Sequence, residues 1–488
     1  MSVPQERIRR LNDAPVRPER TQVLYWMVAA RRTGWSFALD RAVELAHELG
    51  KPLLVLEALR VGYPNASDRL HRFILQGMGE NARALDRAGV RHLAYVEPKP
   101  GDGGGLLSAL AEHSCAVVTD DFPTFFIPHM LRAAAEKLDV QLEAVDSNGL
   151  YPMRATPRVF PTAFAFRRHL QRDLPLHFEF PSANPLARRK LPRHPGLPKK
   201  LLQRWPQADA KLLAGDTSAI AKLPIDHRVP PVSLDGGTGP ARKRLRAFLR
   251  DGLEAYGEGR NHPDDDASSG LSPWLHFGHL SPHEIFDALA RETNWRLGKL
   301  GRVTGKREGF WNLSPTADAF LDELITWREL GLNFASHRDD YADFDALPVW
   351  ALKTLEKHQR DKREAIYDLA TLEAAETSDE VWNAAQRQLV REGRIHNYLR
   401  MLWGKRVLGW TRTPREAAQI LIALNDRWAL DGRDANSYSG IFWVFGRYDR
   451  PWGPERPVFG TVRYMSSANT VRKLRMKQYL ARYSNSAP

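Results

Sequence analysis

The hydrophobic period of this chain changes once, and that change constrains the fold more than any other feature. Over residues 20–150, short apolar runs alternate with amphipathic stretches. TQVLYWMVAA and KPLLVLEAL read as buried strands, and SFALDRAVELAHELG reads as a helix stopped by Gly50. Ser67 to Ala88 reads as a second helix with Ser67 as N-cap, and HLAYVE as the strand after it. LLSALAEHS, AVVTDD, HMLRAAAEKLDV and QLEAVD continue the alternation. Repeated strand–helix–strand order predicts a Rossmann-like parallel sheet flanked by helices. From about residue 242 the apolar spacing becomes three-to-four, as in ARKRLRAFLRDGLEAYGEGR, ADAFLDELITWRELGLNFAS and PREAAQILIALNDRW. An α/β domain over 20–150 is therefore expected to precede a larger all-α domain over 242–488. The span 151–241 between them reads as a connector: ten prolines fall in 181–241, and 181–207 holds seven Lys/Arg and no acid.

The sheet domain does not declare a nucleotide. The turn after its first strand reads ARRTGW, without the GxGxxG that brings a pyrophosphate onto a helix N-terminus. The glycines Gly101 to Gly105 precede a helix but lack a following Lys-Ser/Thr, so GDGGG reads as a plain loop. A single cysteine, Cys115, excludes an intrachain disulfide framework and any Cys-based zinc cluster. No run approaches 18 apolar residues, and the opening MSVPQERIRRLNDAPVRPER has no apolar core of a secretory signal. A cytoplasmic or nucleoid-associated protein with no membrane partner is expected.

Two compositional facts point to partners and chemistry. The formal net charge is +13, and residues 447–488 hold nine Lys/Arg against two acids. Such an excess suits an anionic partner, most often nucleic acid, or a solvated basic tail. Of 14 tryptophans, 11 lie after residue 270, a skew that suits cores, aromatic platforms or redox work.

Several constellations sit on the helical half. Trp403 and Trp410 are two turns apart on one helix face, with roughly 10 Å of axial rise between them. With Trp382 they form either a buried aromatic stripe or a set of stations for electron hopping. RIHNYLRMLW places Asn397, Arg400 and Met401 on one face. ELITWREL places Glu323 one turn from Trp327, with Arg328 and Glu329 beside it, which suits gripping a base edge while stacking its face, or a surface ion pair. Ser268, Ser269 and Gly270 precede a helix beginning LSPWL, the pattern of an anion site or of a plain serine cap. LNDRWALDGRDANSYSG gathers Asn425, Asp426, Asp431, Arg433, Asp434 and Asn436 in a Gly-punctuated loop. That loop lacks the residue order and closing Glu of a calcium loop, and polar recognition of a ring system is an equal reading. No metal site is assigned.

Together and in this order, these segments resemble the photolyase/cryptochrome superfamily, and within it the class II cyclobutane pyrimidine dimer photolyases. The resemblance runs along most of the chain and is strongest from SSGLSPWLHFGHLS through FLDELITWREL, VWNAAQ, HNYLRMLW, LNDRWALDGRD and WGPERPVFGTVRYM. It implies an all-α domain that binds FAD, and light-driven repair of pyrimidine dimers in duplex DNA by a monomer. By the same resemblance, Tyr256, Ser268, Ser269, Gly270, Leu271 and Ser272 correspond to the flavin-binding stretch and diphosphate loop. Arg328, Asn397, Arg400, Asp431 and Asp434 correspond to further flavin-pocket positions, and Asn425 to the residue facing the flavin N5, with Asp431 and Asn436 as alternatives there. Glu323, Trp327 and Met401 correspond to residues touching the dimer, and Trp403, Trp382 and Trp410 to the photoreduction relay with Trp403 nearest the flavin. Trp443 and Arg463 correspond to residues that fill the duplex gap left by the flipped dimer.

The resemblance also implies a second, antenna chromophore of deazaflavin or folate type in the α/β domain. The chain departs from the family at two places: AARRTGWSF stands where Gln-Arg and Asp-Asn-Trp are usual, and YMSSANTVRK where Tyr-Met-Asn is usual. A cryptochrome-like photoreceptor is the alternative from another class. The histidine pair of a (6-4) photolyase is not apparent at its matching site. A basic helical DNA-binding protein without flavin leaves the serine loop, the tryptophan spacing and the Asn/Asp cluster jointly unexplained.

Overall fold

The computed structural model describes residues 2–188 and 190–484. Six strands form one sheet: β1 (Ile8–Arg10), β2 (Gln22–Met27), β3 (Leu53–Leu59), β4 (Arg91–Val96), β5 (Ser114–Asp120) and β6 (Leu142–Val145). Their order is β1-β6-β5-β2-β3-β4, all neighbours parallel except β1, which runs antiparallel to β6 with Ile8 opposite Val145. Strands β2 and β5 are buried along their whole length, as the continuous apolar runs of a doubly covered parallel sheet require. Successive β2 side chains enter opposite cores. Val23, Tyr25 and Met27 pack with Phe37, Leu39 and Val43 of the helix Phe37–Glu48, while Leu24 and Trp26 pack with Leu110, Leu131 and Leu138. The edge strand β1 was not expected: its sequence, IRR, carries no strand period, and it exists because it adds to the free edge of β6.

The sheet reverses its winding between β2 and β5, the place where open α/β sheets bind ligands. Here that place is closed by the protein itself. Asp120, at the end of β5, accepts the backbone N–H groups of Val28 (2.8 Å), Ala29 (2.7 Å) and Ala30 (3.0 Å) on one oxygen. Its other oxygen accepts the Tyr25 hydroxyl at 2.7 Å. The GDGGG loop is closed in the same manner, because Glu97 accepts N–H groups from Gly101 (2.9 Å) and Gly103 (3.1 Å). Trp205 then covers it, donating its indole N–H to the Asp102 carbonyl at 3.0 Å.

Contacts divide the chain into two compact units, one of residues 1–156, 176–245 and 271–292, the other of 157–175, 246–270 and 293–488. The boundaries read from sequence, at 150 and 241, mark changes in hydrophobic period, and period reports an element's type rather than its packing partner. Thus the helix Pro282–Glu292 packs Phe286 against Phe178 (5.2 Å between ring centroids) in the sheet unit. The helix Ala163–Asp173 belongs to the helical unit, where Arg167 grips Asp322 through two hydrogen bonds of 2.6 and 2.9 Å. The helical unit is built mainly from Leu253–Gly259, Pro315–Leu321, Arg328–His337, Glu380–Glu392, Asn397–Trp410, Pro414–Trp428 and Ala435–Trp443. Side-chain caps start several of them: Asp379 accepts the N–H groups of Val381 and Trp382 (3.1 Å each), and Thr413 that of Glu416 (3.1 Å). Gly393, at φ 70°, ends Glu380–Glu392 in the left-handed conformation that glycine adopts without penalty. Among the described residues no helix is long and apolar enough to cross a membrane. Nor does any group of three or more His, Cys, Asp or Glu stand ready to hold a metal ion.

Candidate functional site

Between Pro315–Leu321 and Arg328–His337 the helix widens into a π-helical turn over Asp322–Trp327. Such turns are rare and are often found where function needs a side chain re-aimed. Within it Asp322, Leu324, Ile325 and Thr326 are buried, while Glu323 and Trp327 alone are half-exposed. A Glu323 carboxyl oxygen accepts from the Arg260 guanidinium at 2.8 Å, and the same nitrogen of Arg260 donates to the Tyr256 hydroxyl at 3.4 Å. Burial pushes the Glu323 carboxyl above the usual range, and the Arg260 charge offsets this only in part. Tyr256 is fixed from behind by edge contacts to Phe248 (5.7 Å) and Phe320 (5.6 Å). Sequence reasoning singled out Tyr256 and Glu323 separately; Arg260, which joins them, carried no local signal.

Trp327 lies 5.2 Å from Trp443, ring to ring, at 37°. Both rings are half-exposed, so together they form an apolar wall, with Trp327 four residues after Glu323. On the helix Asn397–Trp410, Asn397 is exposed at the first turn, while Arg400 and Met401 are half-buried. Arg400 donates to the Asn425 amide oxygen at 3.1 Å and approaches Asp431 at 3.4 Å. The Asn425 amide nitrogen donates to Ser437 at 2.6 Å, so this buried side chain is oriented on both sides. Asp434 caps the helix Ala435–Trp443 by accepting the Asn436 N–H at 2.8 Å, and Asn436 itself is exposed. Asp426 organises the rest of the loop, accepting the Arg433 N–H (3.0 Å) and the Tyr438 hydroxyl (3.1 Å). Arg328 is buried one residue after Trp327. Ser268, Ser269 and Gly270 are half-buried in the helical unit; Leu271 and Ser272 begin the next segment, where the helix Ser272–His276 is only five residues long and has no side-chain cap.

The three tryptophans form a continuous run of ring contacts. Trp382 and Trp403 are parallel within 4° at 6.4 Å, and Trp382 meets Trp410 edge-on at 5.6 Å. Trp382, on the other helix, thus bridges the gap between the two indoles of Asn397–Trp410. Two indole N–H groups are held in place: Trp382 donates to the Trp403 carbonyl and Trp403 to the Gln386 amide oxygen, both at 2.9 Å. The Arg406 guanidinium lies 4.4 Å over Trp410, and half-exposed Tyr367 meets the same ring at 5.2 Å.

No family model matches the chain. Over 478 residues, however, it is 34% identical to a deoxyribodipyrimidine photo-lyase of Methanothermobacter thermautotrophicus, an alignment covering 98% of each chain. The chain belongs to the deoxyribodipyrimidine photo-lyase family. Proteins of the same name from Arabidopsis thaliana (32% identical, covering 94% of this chain and 88% of that one) and Potorous tridactylus (31%, 97% and 84%) are also similar end to end. The fold is shared with a bacterial class III photolyase from Agrobacterium tumefaciens (TM-score 0.64, 18% identity, 95% of this chain and 86% of that one). It is likewise shared with a cryptochrome from Synechocystis sp. (TM-score 0.66, 16% identity, 95% and 88%). The α/β-then-helical layout is therefore that of the photolyase/cryptochrome superfamily.

On this photolyase fold, the two residues assigned to the duplex gap have different neighbours. Trp443 sits against Trp327, whereas exposed Arg463 lies 5.0 Å over Trp452. Arg450 approaches the same Trp452 ring at 4.9 Å, and Arg456 lies 4.9 Å over Tyr464. Trp452 and Tyr464 are 37% and 39% exposed, which makes this loop an open surface of alternating aromatic rings and guanidinium groups. Sequence reasoning missed Trp452. The signal was present in RYDRPWGPER, where an aromatic ring stands between arginines.

Proposed function

We propose that this chain repairs cyclobutane pyrimidine dimers in DNA under light, as a class II photolyase with FAD held in its helical unit. The observation that carries this reading is the half-open group of Glu323, Trp327 and Trp443. It sets a carboxyl that burial makes harder to ionise four residues before one ring of an apolar aromatic wall, in a unit that also holds three indoles in contact. The residues present fit a flavin. Arg328 and Arg400 supply cationic donors, and the Asn425 amide is oriented by Arg400 and Ser437. Asn397, Asp431 and Asp434 would add polar groups, and Tyr256 with the Ser268–Gly270 loop would hold the ribityl and diphosphate portion.

When bound in its reduced form, FAD supplies the electron that opens the cyclobutane ring under near-UV or blue light and recovers it afterwards. The protein's own contribution is placement. The basic surface meets duplex phosphates without regard to sequence, and Arg463 with the aromatic ring it covers would enter the space vacated by a flipped dimer. A dimer already stacks poorly, so flipping it costs less than flipping intact bases. Trp327 then packs on its apolar face, Trp443, in contact with Trp327, would fill the vacated gap along with Arg463, and Met401 fills beside the dimer with an adaptable thioether. Glu323, when it carries a proton, would donate a hydrogen bond to a pyrimidine carbonyl and stabilise the negative charge that develops there. Trp410, Trp382 and Trp403, in that order, would pass an electron from an external reductant inward to the cofactor.

A second chromophore of deazaflavin or folate type in the α/β unit is part of this reading. Because the Asp120 carboxylate occupies the turn after β2, any phosphate of such a chromophore would be bound elsewhere. The reading further places the enzyme in the cytoplasm at the nucleoid, acting as a monomer on duplex DNA. It is tested by recording the absorption spectrum of the purified protein, then illuminating it with a chemical reductant and a thymine-dimer oligonucleotide. Flavin bands and light-dependent recovery of thymine absorbance are expected. Flavin bands without recovery would favour a cryptochrome-like photoreceptor instead, and a protein that takes up no FAD would overturn both.

A further inference from the structure

Three consecutive acids, Asp264, Asp265 and Asp266, stand immediately before the serine loop assigned to the flavin diphosphate. Three uncompensated carboxylates there would repel a diphosphate. The structure ties up all three. Asp266 receives both terminal nitrogens of Arg394 at 2.8 Å each. Asp265 pairs with Arg475 through two hydrogen bonds, one of 3.2 Å. Asp264 accepts the Tyr479 backbone N–H at 2.7 Å, and its own N–H donates to the Arg475 carbonyl at 3.0 Å.

The hydroxyl of Tyr479 makes a second connection. Tyr479 is buried, and its hydroxyl donates to the Gln388 side-chain oxygen at 2.9 Å. That same oxygen accepts the His396 backbone N–H at 2.9 Å. His396 is the residue immediately before the helix Asn397–Trp410, which carries Asn397, Arg400, Met401 and Trp403. Through one side chain and one amide, Tyr479 therefore ties the entry to the serine loop to the entry of the helix bearing the other flavin-pocket residues. The Tyr479 ring packs 4.7 Å from that of Tyr483, which is held in turn: its hydroxyl donates to Glu392, and Arg387 donates to its carbonyl at 3.1 Å.

We propose that residues 475–483 form a clasp that, together with Arg394, ties down the acidic entry of the diphosphate loop and sets it in register with the helix Asn397–Trp410, with Tyr479 and Arg475 as positioning residues. The proposal rests on the FAD reading given above. Its consequence is cofactor retention rather than fold stability. A net hydrogen bond in a buried position suggests that Tyr479→Phe weakens FAD binding about three- to tenfold. The Arg475 pair is exposed, so Arg475→Ala is expected to weaken it about twofold to fivefold, more at low salt than at high salt, with recovery in Arg475→Lys.

The experiment measures FAD dissociation constants by flavin fluorescence at two salt concentrations, alongside the melting temperature of each apoprotein. Weakened FAD binding in Tyr479→Phe and Arg475→Ala, restored by Arg475→Lys, with apoprotein melting close to that of the wild type, is the expected result. Unchanged FAD affinity in both variants would overturn the clasp, whether or not melting falls. Should Tyr479→Phe fail to accumulate as folded protein, the exposed Arg475 variants and their salt dependence decide the matter alone. A wild-type protein that binds no FAD would instead remove the flavin reading beneath the proposal.

Discussion

In the α/β unit, carboxylates at the ends of strands are consumed by the backbone: Asp120 holds three N–H groups and a tyrosine hydroxyl, and Glu97 holds the glycine loop. In the helical unit, Glu323 keeps one guanidinium partner, remains half-exposed, and has its carboxyl pushed toward the protonated form. The first arrangement spends its polar groups on stability. The second leaves them available to a ligand and accepts a less satisfied state in return. On this view the site of chemistry is found where polar groups stay half-open beside aromatic surface, even though the α/β unit has the topology usually associated with cofactor binding.

Substitutions on each side of this comparison should separate cleanly. The largest effect belongs to the relay: Trp403→Phe is expected to bring photoreduction of oxidised flavin to background. Repair by chemically reduced enzyme should survive, and laser-flash absorption with a parallel repair assay would show both. Equal loss of the two activities would place Trp403 in the repair site itself. In the α/β unit, Asp120→Ala leaves three buried N–H groups without an acceptor and should cost roughly 3–5 kcal/mol, read from urea unfolding. If instead that variant unfolds like the wild type, the turn after β2 is not held by Asp120. Glu323→Gln should reduce repair roughly 10- to 100-fold while changing the unfolding midpoint little. A large loss of stability without loss of repair would reverse the roles assigned to the two carboxylates.

The pH dependence of the α/β unit tests the same comparison through its buried histidines. Burial, above all, pushes His71 down to about 4 and His279 down to about 3, against an ordinary value of 6.5. Both stay neutral in the folded protein, whereas the unfolded chain takes up protons below about 6.5. The stability they carry is therefore complete above that pH and is lost as pH falls toward 4 and then 3. The expected slope approaches about 1.4 kcal/mol per pH unit for each histidine. Urea midpoints taken from pH 7 down to pH 4.5 would reveal it, and a flat profile would mean that these rings are protonated in the folded state.

The parallel strands were legible because both faces of β2 and β5 are buried, which writes continuous apolar runs into the sequence. Strand β1 was not, because a three-residue edge strand rich in arginine owes its existence to the neighbour it pairs with. Trp403 and Trp410 could be placed on one helix face by counting. That Trp382 would enter between them depends on how two helices pack, which no local pattern records. The π-helical turn at Asp322–Trp327 was invisible for a similar reason, since its residues are ordinary helix formers and the widening is a backbone event. Arg260 and Trp452 escaped notice because their importance lies in partners distant in sequence or across a loop, Glu323 for the first and Arg463 for the second.

The most direct test of the account is the action spectrum of repair, measured as thymine-dimer loss per incident photon across the near-UV and blue with the chemically reduced protein. The account predicts a spectrum that follows the absorption of the reduced flavin bound to the same preparation, and no repair in the dark. Repair that proceeds in the dark, or that follows a chromophore other than the flavin when flavin is the only one bound, would contradict it.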